Sequence, residues 1–267
     1  MYKKHTPDGF AKYRNRTTHV TFHPLPASKL RAVRRNLIFV GVTAGIVLVL
    51  SLMSNAHAAG GSYVVDDGAI NAPGECNVDA WFTANRHAGS THSETLAPAC
   101  TSAAIPWLQW TAAVSRANHD GDGETQVNPQ LKAQLWARED LGLELAASAG
   151  VHYALNRRHS FDGADLNVPF TWQPMEALRL NFNAGWSHAY NDGDQTHRPT
   201  WGTGFEYSLM DSLTLIAERY GQQGGDQAWQ AGPRMHIGKN VDVDLVVGRS
   251  LIGDQHQWLT TGATLRF

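Results

Sequence analysis

The last twelve residues, HQWLTTGATLRF (256–267), set Leu259, Thr261, Ala263, Leu265 and Phe267 at alternate positions, with Trp258, Thr260, Gly262, Thr264 and Arg266 between them. One set is mostly apolar and the other mostly polar. A period of two is the mark of a β-strand lying between two different surroundings. A soluble sandwich would ordinarily follow its last strand with a polar tail, whereas here the alternation runs to Phe267 itself.

The same pattern repeats upstream from Cys76, about ten alternating residues and then a turn. It predicts strands at 76–86, 93–100, 106–117, 127–138, 141–155, 163–173, 178–190, 199–209, 213–221, 228–238, 241–251 and 257–267. The connections alternate in kind. REDLG near 140, QPMEAL near 175, SLMDSL near 211 and GKNVD near 240 are tight, whereas NRHAGSTHSE, ANHDGDGETQ, NRRHSFDG, NDGDQTHRP and GQQGGDQ are mostly longer and hydrophilic. Short turns at one end and longer polar loops at the other are the layout of an outer-membrane barrel. The expected fold is therefore all-β: a single transmembrane antiparallel β-barrel of about twelve strands.

The faces follow from the parity. Leu178, Leu180, Phe182, Trp186, Phe205, Met235, Leu245 and Val247 would meet lipid, and the residues between them would line the interior. The competing soluble sandwich would bury this apolar face. Against it stand the lack of long apolar runs and the gathering of Trp172, Trp186, Tyr190, Trp201, Tyr207, Trp229 and Phe267 near strand ends, as in two interfacial girdles. Pro98 suits an edge or bulge better than a strand interior. Arg249 falls on the lipid parity after Val247, so either it sits near the rim, where the charge costs little, or a bulge shifts the register.

Upstream of the barrel, the basic run Lys29–Arg35 precedes an uncharged apolar stretch, Leu37–Met53, and the small-residue site Ala56-His57-Ala58. That order describes a secretory signal peptide cleaved before Ala59; an uncleaved anchor helix is the alternative. Three segments result: 1–58 as extended N-terminal region and signal peptide, 59–75 as a polar periplasmic segment free to fold inward, and 76–267 as barrel. Without residues 1–58 the chain holds 13 Lys and Arg against 23 Asp and Glu, a net charge of −10, which argues against nucleic acid as a partner. Cys76 and Cys100 form an even pair in an exported chain and read as a disulfide joining the ends of the first hairpin, with two free thiols as the alternative.

The stretches LRLNFNAGWSHAYNDG (178–193), WGTGFEYSLMDSLTLIAERYGQQGG (201–225), AGPRMHIGKNVDVDLVVGRSLIG (231–253) and WLTTGATLRF (258–267) resemble the outer-membrane family labelled MetA-pathway of phenol degradation. The likeness covers about residues 141–267 and more loosely VVDDGAINAPGECNVDAWF (64–82). It implies a small barrel that takes up or exports small molecules, aromatic ones among them. The terminal Phe267 resembles the signal read by the barrel-assembly machinery, which with membrane lipid and a small solute completes the expected partners.

In a channel, selectivity resides in the inward residues. The parity nominates Asp79, Glu144, Asp165, Glu206, Glu218, Asp242 and Asp244 against Lys132, Arg138, Arg179, Arg234 and Arg266, with His236 beside them. Seven against five is close to balance, unlike the arginine-rich lining an acidic-sugar porin needs. These charges could equally pair across a filled, non-conducting interior. An outer-membrane phospholipase would carry His-x-Ser on one strand face, and no histidine here has serine two places on. The expectation is therefore no enzyme and no cofactor. The loop motifs HDGDGE (119–124) and NDGDQTH (191–197) are read as polar turns rather than metal sites. The sequence as a whole predicts a Gram-negative outer-membrane channel for small solutes, or else a non-conducting structural or interaction barrel of the envelope.

Overall fold

In the computed structural model of the chain, which describes residues 61–87, 89–119, 122–191, 194–253 and 255–267, each alternating run is a strand. The strands are β1 (Cys76–His87), β2 (Gly89–Thr101), β3 (Leu108–His119), β4 (Asp122–Arg138), β5 (Leu143–Ala154), β6 (Phe161–Met175), β7 (Leu178–Asn191), β8 (Asp194–Met210), β9 (Leu213–Gln222), β10 (Gln227–Ile237), β11 (Val241–Ser250) and β12 (Gln257–Arg266). The stretch expected as a signal peptide lies outside the described residues.

Each strand pairs antiparallel with its neighbours in sequence, and β12 closes on β1. The seam joins the two ends of the barrel sequence: Cys76 N donates to Phe267 O and Phe267 N donates to Cys76 O, both at 2.9 Å. The terminal strand thus spends its backbone groups on the first strand and leaves no open edge. Cys76 and Cys100 are opposite in the β1–β2 register and are joined as a disulfide.

Burial is inverted relative to a soluble protein. On β9, Thr214, Ile216 and Glu218 are buried while Leu215, Ala217 and Arg219 are exposed. Val247 and Leu265 are each 50 % exposed, whereas Arg234 is 1 % exposed. A polar interior within an apolar exterior is what lipid demands, and it removes the sandwich alternative.

Three local features depart from expectation. The runs at 119–126 and 191–198, expected as loops, continue the ladders, with His119 opposite Asp122 and Asn191 opposite Asp194. Their hydrophilic composition reflects hairpins that rise beyond the apolar band. At Pro98 the β2–β3 pairing skips from Leu96↔Val114 to Ala99↔Thr111, as a residue without an N–H requires. Between Gln134 and Trp136 the β4–β5 register shifts, so Arg138 pairs with the outward Leu143 rather than standing beside the inward Glu144. A one-residue slip moves every later side chain to the opposite face.

Candidate functional site

Inward side chains of the strands enclose the lumen, residues 61–71 lie inside it, and 72–75 lead from the turn end into β1. The segment expected on the periplasmic side is thus folded inward. Its path follows the inner wall around most of the circumference. Asn71 N donates to Gln109 on β3 (2.8 Å), and Gly68 N donates to Thr171 on β6 (2.9 Å). Asp66 and Asn183 on β7 exchange two bonds, Asp66 N to Asn183 Oδ1 (2.9 Å) and Asn183 Nδ2 to Asp66 O (2.6 Å). Val64 N and Val65 N both donate to the Glu218 carboxylate on β9, at 2.7 and 3.0 Å. Tyr63 donates to Gly232 O on β10 (3.1 Å), and Ser62 to Asp244 on β11 (2.9 Å). Gly61 then faces Asp79 and Thr264, on the strands that form the seam.

Two glycines make the close approach feasible. A Cβ on Gly68 would stand 2.5 Å from Glu144 O, and one on Gly202 would stand 2.9 Å from Val65 Cγ2. Val65 is accordingly packed to 2 % exposure against the bare backbone of β8.

The segment also brings charge. Lys132 Nζ lies 2.8 Å from Asp66 Oδ1 and 3.0 Å from Asp67 Oδ1. Arg179 bridges to Glu144 (3.0 Å) and stands 3.6 Å from Asp67. Burial raises the Asp66 carboxyl above the usual carboxylate range, with Lys132 opposing the shift and Asp67 adding to it. Burial, reinforced by the Asp244 carboxylate, likewise pushes up the Tyr63 phenol. Arg234 lies over the Tyr63 ring, its Cζ 5.2 Å from the centroid.

Most of the residues nominated by parity are inward and partnered. Asp79 accepts from Thr264 (2.6 Å) and Asn77 (2.9 Å). Asp165 lies 2.7 Å from His152 Nε2, and Glu206 accepts from Asn181 (2.5 Å). Arg234 grips Asp244 at 2.8 and 2.9 Å. His236 sits between Asp242 (2.7 Å) and Thr214 (2.9 Å), and Arg266 closes on the other Asp242 oxygen at 2.5 Å. The correction is Arg138. The β4 register shift turns it outward, where it is half-exposed and pairs with Asp140 at 2.7 Å in the adjoining turn.

The sequence reading missed Asp66 and Asp67, whose paired carboxylates just ahead of the first strand were the available signal. With them added and Arg138 removed, the assigned set holds nine inward carboxylates (66, 67, 79, 144, 165, 206, 218, 242 and 244) and four inward cations (132, 179, 234 and 266). The pairs join strands no more than two apart or reach the inner segment, and a cavity of about 830 Å³ remains. It extends from Glu75, Asn77 and Arg266 at the turn end to Gln222 and Asp226 at the loop end. Among the described residues no group of three or more His, Cys, Asp and Glu stands close enough to hold a metal ion; the loop motifs at 119–124 and 191–197 lie partly outside those residues.

A family model described as "Uncharacterised conserved protein UCP029691" matches residues 47–267. No curated protein matches the chain. Among solved structures, the COG4313 outer membrane channel from Pseudomonas putida F1 superimposes with a TM-score of 0.59 at 10% identity, over 79% of this chain and 100% of that one. The KdgM porin gives 0.56 at 9% identity, over 71% and 99%, and the NanC porin 0.52 at 10%, over 71% and 98%. At these identities the likeness establishes a porin-like closed barrel.

Proposed function

We propose, for a chain that belongs to the family described as "Uncharacterised conserved protein UCP029691", the function of an outer-membrane channel for small solutes, narrowed from within by residues 61–75. The observation that carries this reading is the 830 Å³ cavity running lengthwise through an inside-out barrel. Solute would pass by diffusion along polar side chains, without covalent chemistry or cofactor.

The location follows the same logic: a Gram-negative outer membrane, reached after removal of residues 1–58 and through an assembly machinery that reads Phe267. The turn end, with Cys76 and Phe267, then faces the periplasm. Several superimposing barrels bear porin or channel names, and one KdgM structure is titled as a complex with disordered oligogalacturonate. A polyanion of that kind suits this lumen poorly, because carboxylates outnumber cations along it. Small neutral or cationic solutes fit better. The likeness of residues 141–267 to the MetA-pathway family, with Tyr63, Trp81 and Tyr220 along the cavity, favours aromatic ones among them.

The competing reading is a non-conducting envelope barrel, and the hydrogen bonds of residues 61–71 around the inner wall are what favour it. Single-channel recording of the mature chain in a planar bilayer separates the two. Discrete steps, enlarged when residues 61–71 are deleted, are expected; a folded barrel that stays silent in both forms would defeat the channel reading.

A further inference from the structure

Arg249 is the residue whose outward parity the sequence left with two explanations, and the register removes one of them. The β11–β12 ladder runs without interruption through Val247↔Leu259, Gly248↔Trp258 and Arg249↔Gln257. No bulge intervenes, so Arg249 points outward like Val247 and Leu245. It is not isolated. Trp229 is opposite Arg249 on one side and opposite Arg219 on the other, and Gln257 is also opposite Arg86. One transverse row of outward residues therefore reads Arg219, Trp229, Arg249, Gln257, Arg86 across β9 to β12 and on to β1. Neighbouring strands are spaced about 4.8 Å apart, so successive arginines in the row are about 10 Å apart.

The guanidinium groups of Arg219 and Arg249 are directed toward the loop end of the barrel. Arg219 Nη2 is 3.5 Å from Gln227 Oε1, and its Cζ lies 5.7 Å from the centre of the Trp201 ring. Gln227 and Trp201 are each opposite Gly221, two residues nearer the loops than Arg219. Arg249 donates to Gln255 in the last loop. Long cationic side chains bend this way when their stems lie in the apolar band and their heads reach the headgroup layer.

The row also lacks counter-charge. On the opposite wall, the outward Arg116 has Glu94 directly across from it. Arg219, Arg249 and Arg86 face Thr203, Trp229 and Gln257, and among the described residues none of the three forms a salt bridge to a carboxylate. Toward the turn end the same strands present a mostly apolar surface, including Leu215, Met235, Leu245, Leu259 and Phe82, all exposed, with Thr261 among them. Unneutralised guanidinium groups at the rim of an apolar wall complement an amphiphile with a phosphate-bearing head.

We propose that this row binds the phosphorylated sugar headgroup of the outer-leaflet lipopolysaccharide, with Arg219 and Arg249 on either side of Trp229 taking phosphate and Arg86 extending the contact. The inference rests on the outer-membrane part of the proposed function. It commits to that lipid because several arginines spaced along one row suit a headgroup bearing more than one phosphate, and because the apolar wall continues beneath them.

The test uses the folded, detergent-solubilised chain and its R219Q/R249Q variant. Each is titrated with lipopolysaccharide and with the same lipid after phosphatase treatment, and bound lipid is counted by native mass spectrometry. The wild-type chain is expected to prefer the phosphorylated lipid by roughly 30-fold or more, from attraction at two or three basic residues. The double variant is expected to lose that preference while keeping wild-type conductance, and R86Q to fall between them. A wild-type chain indifferent to the phosphates, a double variant that still discriminates, or full competition by inorganic phosphate at equal concentration would each overturn the proposal. A barrel that conducts yet ignores lipid phosphate removes this inference alone, and one that binds the lipid yet never conducts removes only the channel reading.

Discussion

Glu218 on β9 holds Val65 by its backbone N–H, 3.0 Å away across 153 residues of chain, while its other oxygen takes the N–H of Val64 at 2.7 Å. One carboxylate thus satisfies two consecutive amides in charge-assisted bonds, with Gln230 donating to it as well (2.7 Å). Glu218→Gln preserves the shape but turns an amide NH₂ toward one of those N–H groups. The docking of residues 61–71 is expected to weaken by about 1–3 kcal/mol, the cost of an unmade buried bond. Unit conductance should rise, and added protease should cut the segment more readily. Wild-type conductance and protection in the variant would count against a docked constriction.

Lys132 makes the complementary test. It is buried, and its ammonium meets Asp66 and Asp67. Lys132→Met strands two carboxylates in the lumen, and breaking one side of a buried pair typically costs about 3–5 kcal/mol. The segment should be released, and adding Asp66→Asn and Asp67→Asn to the same chain should restore much of the docking. Non-additive effects in this cycle, read from protease protection, would identify the contact; simple additivity would show that the three residues do not act together.

The barrel was legible because lipid imposes a period of two on every strand, and most strand ends came within a few residues. Where the reading failed, the information was not periodic. Arg138 kept the parity of Lys132 in the sequence, and only the register shift at Gln134/Trp136 turns it outward. The hairpin extensions at Asp122 and Asp194 carry the composition of loops, because strand pairing continues where neither face is buried in lipid. Asp66 and Asp67 sit in a stretch without alternation, so their place beside Lys132 comes from long-range docking that no local pattern encodes. The last strand, by contrast, was legible in the alternation of residues 257–267.

The Cys76–Cys100 bond spans 24 residues and clamps the hairpin at the end where the inner segment enters. Beside it, Gly74 N donates to Thr101 O (2.8 Å) and Thr101 N to Glu75 O (3.1 Å), so the clamp also fixes the end of residues 61–75 that leads into β1. Closing a loop of that length restricts the unfolded chain by about 3 kcal/mol. Cys76→Ser/Cys100→Ser should lower the urea midpoint of the folded barrel correspondingly and increase gating noise in single-channel records. An unchanged midpoint would assign the bond no role in the folded chain's stability.

Selectivity is the sharpest consequence of the lumen charge. The excess of inward carboxylates over cations should make the channel prefer cations, readable as the sign of the reversal potential across a potassium chloride gradient. Asp79 and Asp165 line the cavity, and neither forms an ion pair with Lys or Arg among the described residues, so their charges remain less compensated than those of Asp242 or Asp244. Asp79→Asn with Asp165→Asn should shift the reversal potential toward zero while leaving the fold intact, since Asn can still accept from Thr264 or face His152. Arg138→Gln supplies the control. Its side chain pairs with Asp140 outside the lumen, and the reversal potential of that variant should equal wild type. A shift on removing Arg138, or none on removing the two carboxylates, would mean that ions do not travel past the residues assigned to the interior.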